Sequence, residues 1–323
     1  MTQLPLFDEP SELAPQAARL APRLAALAAR GVWFGTSSWK YEGWLGSIYS
    51  PERYQTRGKH SRKKFESECL EEYATIFPTV CGDFAFYQFP SEEFWRELFD
   101  RVPAGFSFSF KVPEEITSAK WPSHARYGSR AGMLNEHFLS NELLDRLFHE
   151  RLAPHADRIG CLILEFGTFP KSVFAKVEDF LAVLGPFLER LPREFRHAVE
   201  IRNPEFFAPP YLDLLARTRT AHVHNAWTRM PDLSEQVSLP EADTADFLVA
   251  RALLKRGRSY EGAVKSFEPY ERVQEPLVSA REGLRDLAMR AIRREKPAYL
   301  FVNNRLEGNA PTTIEAIVEM LEE

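Results

Sequence analysis

The chain has 323 residues and a hydrophobic content of 44%, which is enough to build a large buried core. Its 41 basic and 46 acidic side chains give a formal net charge of -5 at pH 7, which argues against a generally basic surface that coats nucleic acid. Its three cysteines lack zinc-binding spacing, and we find no signal peptide or apolar run of membrane-spanning length, so we expect a cytoplasmic protein with reduced thiols.

The beginning of the chain predicts a tail followed by a helix. Residues 1–14 contain three acidic residues and two prolines without a periodic pattern, which predicts a flexible tail. An alanine-rich stretch at about 17–30 has Leu20, Leu24 and Leu27 at helical spacing before Gly31. We therefore expect an N-terminal helix packed on one domain that covers residues 15–323.

Short apolar segments then alternate with helical segments along the rest of the chain. The apolar segments predict strands at 32–38, 83–88, 106–112, 161–166, 197–201, 221–225, 246–250 and 298–302. Helical periodicity predicts helices at 64–76, 92–101, 136–152, 172–191, 211–218, 269–295 and 312–321. This alternation favours an α/β fold, a single (β/α)8 TIM-type barrel, over an open doubly wound sheet, which would need a glycine-rich GxGxxG turn.

Several ordered motifs carry a family resemblance. They are Phe-Gly-Thr-Ser-Ser-Trp at 34–39, Val-Glu-Ile-Arg-Asn-Pro at 199–204, Asn-Ala-Trp-Thr-Arg-Met-Pro at 225–231 and Phe-Val-Asn-Asn at 301–304. Together they resemble the YecE-like family (domain of unknown function 72), from about residue 32 to the C-terminus. The resemblance implies a β/α barrel and no particular reaction. Glu165 departs from the family pattern, in which a Gln is common at this position.

The C-terminal ends of the strands are where a β/α barrel builds its functional site. Side chains at these ends predict a substrate-binding set: Trp39, Tyr87, Lys111, Arg202, Asn225, Arg251, Asn303 and Asn304. The candidate catalytic acid and base are two carboxylates on neighbouring strands, Glu165 and Glu200. Two other interpretations of these carboxylates are open. They are ligands of a divalent metal, together with His224 or Asp83, or they form a structural ion-pair network with the arginines.

Two further patterns have open interpretations. His222 and His224 share one face of a strand, so they are either metal ligands or, if Asn225 points inward, side chains that pack against the surrounding helices. Basic residues are concentrated between Arg53 and Lys64, which fits either attraction of a polyanion or a solvated loop.

The tail contains a short peptide of interest, Gln3-Leu4-Pro5-Leu6-Phe7. It resembles the Gln-Leu-x-Leu-Phe peptide with which bacterial replication and repair proteins dock on the sliding clamp. In this interpretation Leu4, Leu6 and Phe7 anchor in an apolar cleft and Gln3 supplies hydrogen bonds. The alternative is that these side chains pack back onto the barrel.

These observations leave two hypotheses for function. The first is a hydrolase or lyase that acts on a phosphate-bearing substrate, with a link to DNA metabolism and an optional divalent metal. The second is a barrel without catalytic activity that binds an anionic small molecule or nucleic acid and is recruited to a partner, such as the sliding clamp, through its tail.

Overall fold

The structure of the protein, a computed structural model, describes residues 13–322. Its strands are β1 (Val32–Thr36), β2 (Gln55–Thr56), β3 (Lys59–His60), β4 (Thr79–Gly82), β5 (Ser107–Lys111), β6 (Ile159–Phe166), β7 (His197–Ile201), β8 (Ala221–Ala226), β9 (Leu248–Ala252) and β10 (Ala298–Val302). Its α-helices are α1 (Pro15–Ala29), α2 (Arg62–Tyr73), α3 (Glu92–Asp100), α4 (Glu114–Thr117), α5 (Asn141–Leu144), α6 (Glu150–Leu152), α7 (Val177–Glu189), α8 (Pro209–Thr218), α9 (Leu233–Val237), α10 (Tyr260–Phe267), α11 (Val278–Arg294), α12 (Asn304–Glu307) and α13 (Ala310–Glu322).

Eight of the strands form a closed parallel barrel, which confirms the predicted fold. Its order is β1-β10-β9-β8-β7-β6-β5-β4, and pairing of β1 with β4 closes it. The two short strands β2 and β3 form a separate antiparallel ribbon in the first long loop. None of the described helices is long and apolar enough to cross a membrane.

The predicted N-terminal helix is present as α1, which packs against α13. The Gln16 side chain donates a hydrogen bond of 2.7 Å to Glu315, and Arg19 pairs with the same carboxylate at 2.8 Å. The predicted flexible tail, residues 1–14, lies outside the described residues except for its last two positions.

The second barrel strand was predicted in the wrong place, at 83–88. The strand is β4, which ends at Gly82, and residues Phe84–Phe86 form a 3-10 turn after it. All four residues of β4 are buried, whereas Asp83 and Tyr87 are exposed. Aromatic residues favour strands, but a parallel barrel strand must be buried on both faces, and only 79–82 meets that condition.

Two helix predictions were wrong in their bounds. The predicted helix at 269–295 begins only at Val278, and α10, at Tyr260–Phe267, was not predicted. The predicted helix at 136–152 is divided into α5, a π-helical turn at Asp145–His149, and α6. Proline and irregular turns interrupt segments whose apolar spacing is continuous, so periodicity alone gave elements that are too long.

The interior of the barrel determines which side chains reach the site. It is filled by Trp33, Cys81, Cys161, Ile163, Ala198, Ala221, Val223, Val249, Tyr299 and Phe301. Side chains alternate between the two faces of a strand, so residues two positions after these also point inward. The inward-facing positions therefore continue to the C-terminal mouth of the barrel.

Candidate functional site

Polar residues occupy the inward-facing positions at the mouth of the barrel. Glu165 follows Ile163 by two positions, Glu200 follows Ala198, and Arg251 follows Val249. Lys111 ends β5, and Arg202 lies directly after β7. The fold thus brings together five of the predicted site residues. We call this set, which consists of Lys111, Glu165, Glu200, Arg202 and Arg251, the mouth cluster.

Glu165 is the centre of the mouth cluster. Its carboxylate accepts from Arg251 Nη1 at 2.6 Å and from Arg202 Nη2 at 2.8 Å, and Lys111 Nζ lies 3.2 Å away. All three cations therefore contact one carboxylate, whose residue is only 6% exposed.

Glu200 forms the second anionic part of the mouth cluster. It lies beside Glu165 in the register of β6 and β7 and is fully buried. Arg202 Nη2 donates to its carboxylate at 3.1 Å, and Arg251 also donates to it. The mouth cluster therefore contains three cations and two carboxylates, so it has a net charge of +1.

The cluster shifts the pKa values of Glu165 and Lys111. Burial would raise the pKa of Glu165, but Arg202, Lys111 and Arg251 outweigh it and lower this pKa well below the usual range of a carboxyl group. Burial lowers the pKa of the Lys111 amine, and Glu165 opposes that effect only in part. Glu165 is therefore an anion at neutral pH, and Lys111 is the cation of the cluster that deprotonates most easily.

Two aromatic rings complete the cluster, and the predicted site set did not include them. The Lys111 amine lies 3.7 Å from the centre of the Phe86 ring, and the Arg202 guanidinium lies 3.7 Å from the Trp227 ring. Both are cation–π contacts, which orient the cations. Trp227 directly follows β8, so its position at a strand end was the signal that could have identified it.

The three predicted asparagines have mainly structural contacts. Asn225 Nδ2 donates to the carbonyl of Ile201 at 3.2 Å, while its buried Oδ1 has no partner among the described residues. Asn303 accepts from the Arg305 amide at 2.9 Å and caps α12. Asn304 accepts from the Ala310 amide at 2.7 Å and fixes the turn into α13.

Tyr87 and Trp39 are not members of the mouth cluster and have other contacts. Tyr87 is 55% exposed, and its ring stacks against the guanidinium of Arg126 at 4.7 Å. Trp39 is buried and lines a separate cavity beside the ends of β1 and β4.

The two predicted histidines face away from the mouth. His222 contacts Tyr211 of α8 at 3.1 Å and Gln236 of α9 at 3.4 Å. His224 is also fully buried and contacts the carbonyl of Val249 at 3.3 Å. Across residues 13–322, no group of three or more His, Cys, Asp or Glu side chains has the arrangement of a metal site.

The basic residues of the first long loop are partly neutralised by nearby acids. Arg53 pairs with Glu71 at 2.7 Å, and Arg62 pairs with Glu66 at 2.8 Å. The clamp-like peptide, Gln3, Leu4, Leu6 and Phe7, lies outside the described residues.

Comparison with known proteins gives a family for the chain. A family model described as "Protein of unknown function DUF72" matches residues 33–323. UPF0759 protein YecE of Escherichia coli strain K12 is 34% identical over 142 residues, which are 43% of this chain and 43% of the relative. The matched part therefore spans less than half the length of this curated relative.

Two crystal structures have the same fold. A DUF72 family protein from Thermotoga maritima has a TM-score of 0.61 and 22% identity, over 90% of this chain and 99% of that chain. Another from Enterococcus faecalis has a TM-score of 0.57 and 18% identity, over 90% of this chain and 96% of that chain. At these identities the similarity shows a common fold.

Proposed function

The chain belongs to the DUF72 family, as its motifs predicted, and we propose that its barrel mouth binds a phosphate-bearing small molecule and acts on it as a hydrolase or lyase. The observation that carries this proposal is the composition of the mouth cluster, in which three cations contact two carboxylates. The five residues of the cluster carry one more cation than carboxylates, so an anionic ligand would supply a further negative charge.

Unused hydrogen-bond donors support an anionic ligand. Arg251 Nε is buried and has no partner among the described residues. The side chain of Arg202 is 14% exposed, which makes it the most accessible cation of the cluster. Guanidinium groups bind phosphate oxygens through several N–H donors at once, so these two arginines are suited to hold a phosphate at the entrance.

Lys111 is the group that we propose for proton transfer. Glu165 accepts from three cations and stays ionised, so it is a poor general acid, and its role is to hold the cations in place. A lysine whose pKa is lowered by burial can exchange protons nearer neutral pH. The carboxylates of Glu165 and Glu200 thus position the cations, and Lys111 carries the chemistry.

Phosphate binding by an arginine variant tests the anion site. Isothermal titration with inorganic phosphate is compared between the unmodified protein, Arg202→Gln, and Arg217→Gln as a matched control on the exposed face of α8. We expect Arg202→Gln to weaken binding about tenfold or more, because it removes a charge-assisted contact. Equal binding by all three proteins, or none by the unmodified protein, would contradict the proposal.

The titration of Lys111 tests its role in proton transfer. Labelling of the lysines with 13C at Cε, followed by NMR across a pH series, resolves individual side chains without modifying the amines, and Lys111→Met identifies the Lys111 signal. We expect this signal to titrate at lower pH than the exposed lysines, since burial disfavours the charged amine. A Lys111 signal that titrates with the exposed lysines would remove Lys111 from the mechanism.

We also propose that the tail docks on a bacterial sliding clamp, because Gln3, Leu4, Leu6 and Phe7 reproduce its peptide pattern. Deletion of residues 1–10 leaves the contacts between α1 and α13 in place, since these begin at Gln16. We expect the deletion to abolish clamp binding in a pull-down while the thermal unfolding midpoint is unchanged. Retained binding would show that the tail is not the docking element.

A further inference from the structure

A cavity lies beside the mouth, between α2 and α3. Its volume is about 270 Å³, close to the lower end of the range for small-molecule sites. Residues after β1 and β4 form one side of it, and the two helices form the other. Its apolar lining is Trp39, Leu70, Phe84, Phe94 and Leu98.

Aromatic rings dominate this lining. The Trp39 and Phe84 rings meet edge to face, with centres 6.1 Å apart, and the Phe84 and Phe94 rings are tilted, with centres 5.2 Å apart. Trp39 is buried, whereas Phe94 is 38% exposed at the opening. A lining of this kind can pack against a flat aromatic guest through offset or edge-to-face contacts.

One buried hydroxyl in the cavity lining has no partner. Ser37 is 6% exposed, and its Oγ makes no hydrogen bond to any described residue. A buried polar group without a partner costs free energy unless a ligand or water satisfies it. Because a hydroxyl both donates and accepts, it suits a ring nitrogen or a ring N–H.

Acidic side chains outnumber basic ones at the rim of the cavity. Three carboxylates, from Glu66, Asp83 and Glu97, line the cavity, against two cations, from Lys40 and Arg101. Within residues 13–322, the side-chain carboxylates of Asp83 and Glu97 have neither a hydrogen-bond nor an ion-pair partner. Unpaired carboxylates accept hydrogen bonds from amino groups, so the rim has a polarity opposite to that of the mouth cluster.

We propose that this cavity binds a planar heteroaromatic ring that carries an amino group, with adenine as the representative ligand. The ring lies among Trp39, Phe84 and Phe94, and a ring nitrogen pairs with Ser37. The amino group donates to a rim carboxylate, for which Asp83 is the candidate. The lining of this cavity shares none of the five residues of the mouth cluster, so the two sites can be tested by separate variants.

Titration with adenine and with purine, which lacks the amino group, tests the proposal. We expect saturable binding of adenine by isothermal titration or saturation-transfer NMR, and purine to bind about tenfold more weakly because it lacks the donor. Asp83→Asn is expected to reduce this preference for adenine. Equal binding of adenine and purine would overturn the amino-group assignment.

A pair of tryptophan variants on α2 locates the binding site. Ser67 is exposed at the cavity, so Ser67→Trp fills its opening without disturbing the core, while Lys63→Trp places the same ring one turn earlier, outside the lining. We expect only Ser67→Trp to weaken adenine binding, by about tenfold or more. No adenine binding by the unmodified protein, or equal effects of the two variants, would overturn the site. Arg202→Gln should leave adenine binding unchanged, which separates this test from that of the anion site.

Discussion

At the scale of single residues, the buried carboxylate of Glu165 is the most constrained group in the mouth. It contacts the three cations of the cluster and is almost wholly removed from water. In a buried ion-pair network, loss of one partner leaves charge that nothing compensates.

We therefore predict that Glu165→Gln destabilises the protein strongly. The variant has the same shape but leaves three buried cations with one carboxylate, so the free energy of unfolding should fall by about 3 to 5 kcal/mol. Urea denaturation measures this change, with Glu189→Gln on the exposed face of α7 as the matched control. A loss below about 1 kcal/mol would mean that the cluster is open to water and not a buried network.

The residues of the mouth cluster were predictable because strand parity is a simple rule. Once the strand ends are known, Glu165, Glu200 and Arg251 must point inward. Their pairing was not predictable, since the sequence does not give the distances that separate an ion-pair network from a metal site. Phe86 was missed for a different reason, because the wrong strand position at 83–88 treated it as a strand residue.

At the scale of elements, the contact of β1 with β4 depends on one glycine. Gly35 lies opposite Thr79 in the register of the two strands. A β-carbon at Gly35 would lie 2.1 Å from the Thr79 carbonyl oxygen, far inside the contact distance, and a backbone atom cannot move aside without displacing its strand.

We predict that Gly35→Ala opens the closure between β1 and β4. The free energy of unfolding should fall by about 3 kcal/mol or more, which urea denaturation measures, because overpacking against backbone is not relieved by a rotamer change. Gly105→Ala is the control, since a β-carbon there meets no atom within 4 Å. Equal stability of the two variants would show that β1 and β4 separate easily.

The first long loop is fixed by a buried carboxylate. Glu72 of α2 accepts from the Ser50 amide and hydroxyl, both at 2.8 Å, and from the Tyr54 hydroxyl at 2.6 Å. We predict that Glu72→Ala loosens this loop, with faster amide hydrogen exchange at 50–54 and a loss of about 3 kcal/mol in stability. Glu68→Ala, on the same helix, is the control, since within residues 13–322 the Glu68 side chain has no hydrogen-bond or ion-pair partner. Unchanged exchange at 50–54 would show that other contacts fix the loop.

The elements themselves were predicted better in position than in extent. Seven of the eight predicted strands overlap barrel strands, because strands buried on both faces appear as continuous apolar segments. The shift of β4 and the division of 136–152 have local causes in turn geometry. Such causes lie in backbone hydrogen bonding, which apolar spacing does not report.

At the scale of the whole molecule, barrel closure explains why the sequence indicated the fold so clearly. Eight alternating units leave few other arrangements that bury every strand on both faces. The same closure buries three histidines, His197, His222 and His224, around the barrel wall. Together, these three histidines make the stability of the whole barrel depend on pH.

Burial lowers the pKa of all three histidines and brings that of His224 to about 4. Each ring is therefore neutral in the folded protein at a pH where it is charged in the unfolded chain. The unfolded state then binds more protons, so stability is full above a pH of about 6.5 and falls as the pH decreases towards the folded pKa. Glu165 contributes to stability in a lower pH range. Because its pKa is depressed in the folded protein, its contribution is lost only as the pH falls below the usual pKa of a carboxyl group.

We predict that unfolding free energy decreases between pH 6.5 and pH 5, before any contribution from Glu165. For His224 alone the full effect at low pH amounts to about 3 kcal/mol, given 1.36 kcal/mol for each pKa unit. His224→Gln removes this titration and should flatten the curve of stability against pH, whereas Ala25→Gln, on the exposed face of α1, changes no titrating group and should leave its slope unchanged. Urea denaturation at a series of pH values measures both slopes. A curve for His224→Gln as steep as that of the unmodified protein would mean that this ring accepts a proton without unfolding, and the barrel wall would then be more accessible to water than its packing indicates.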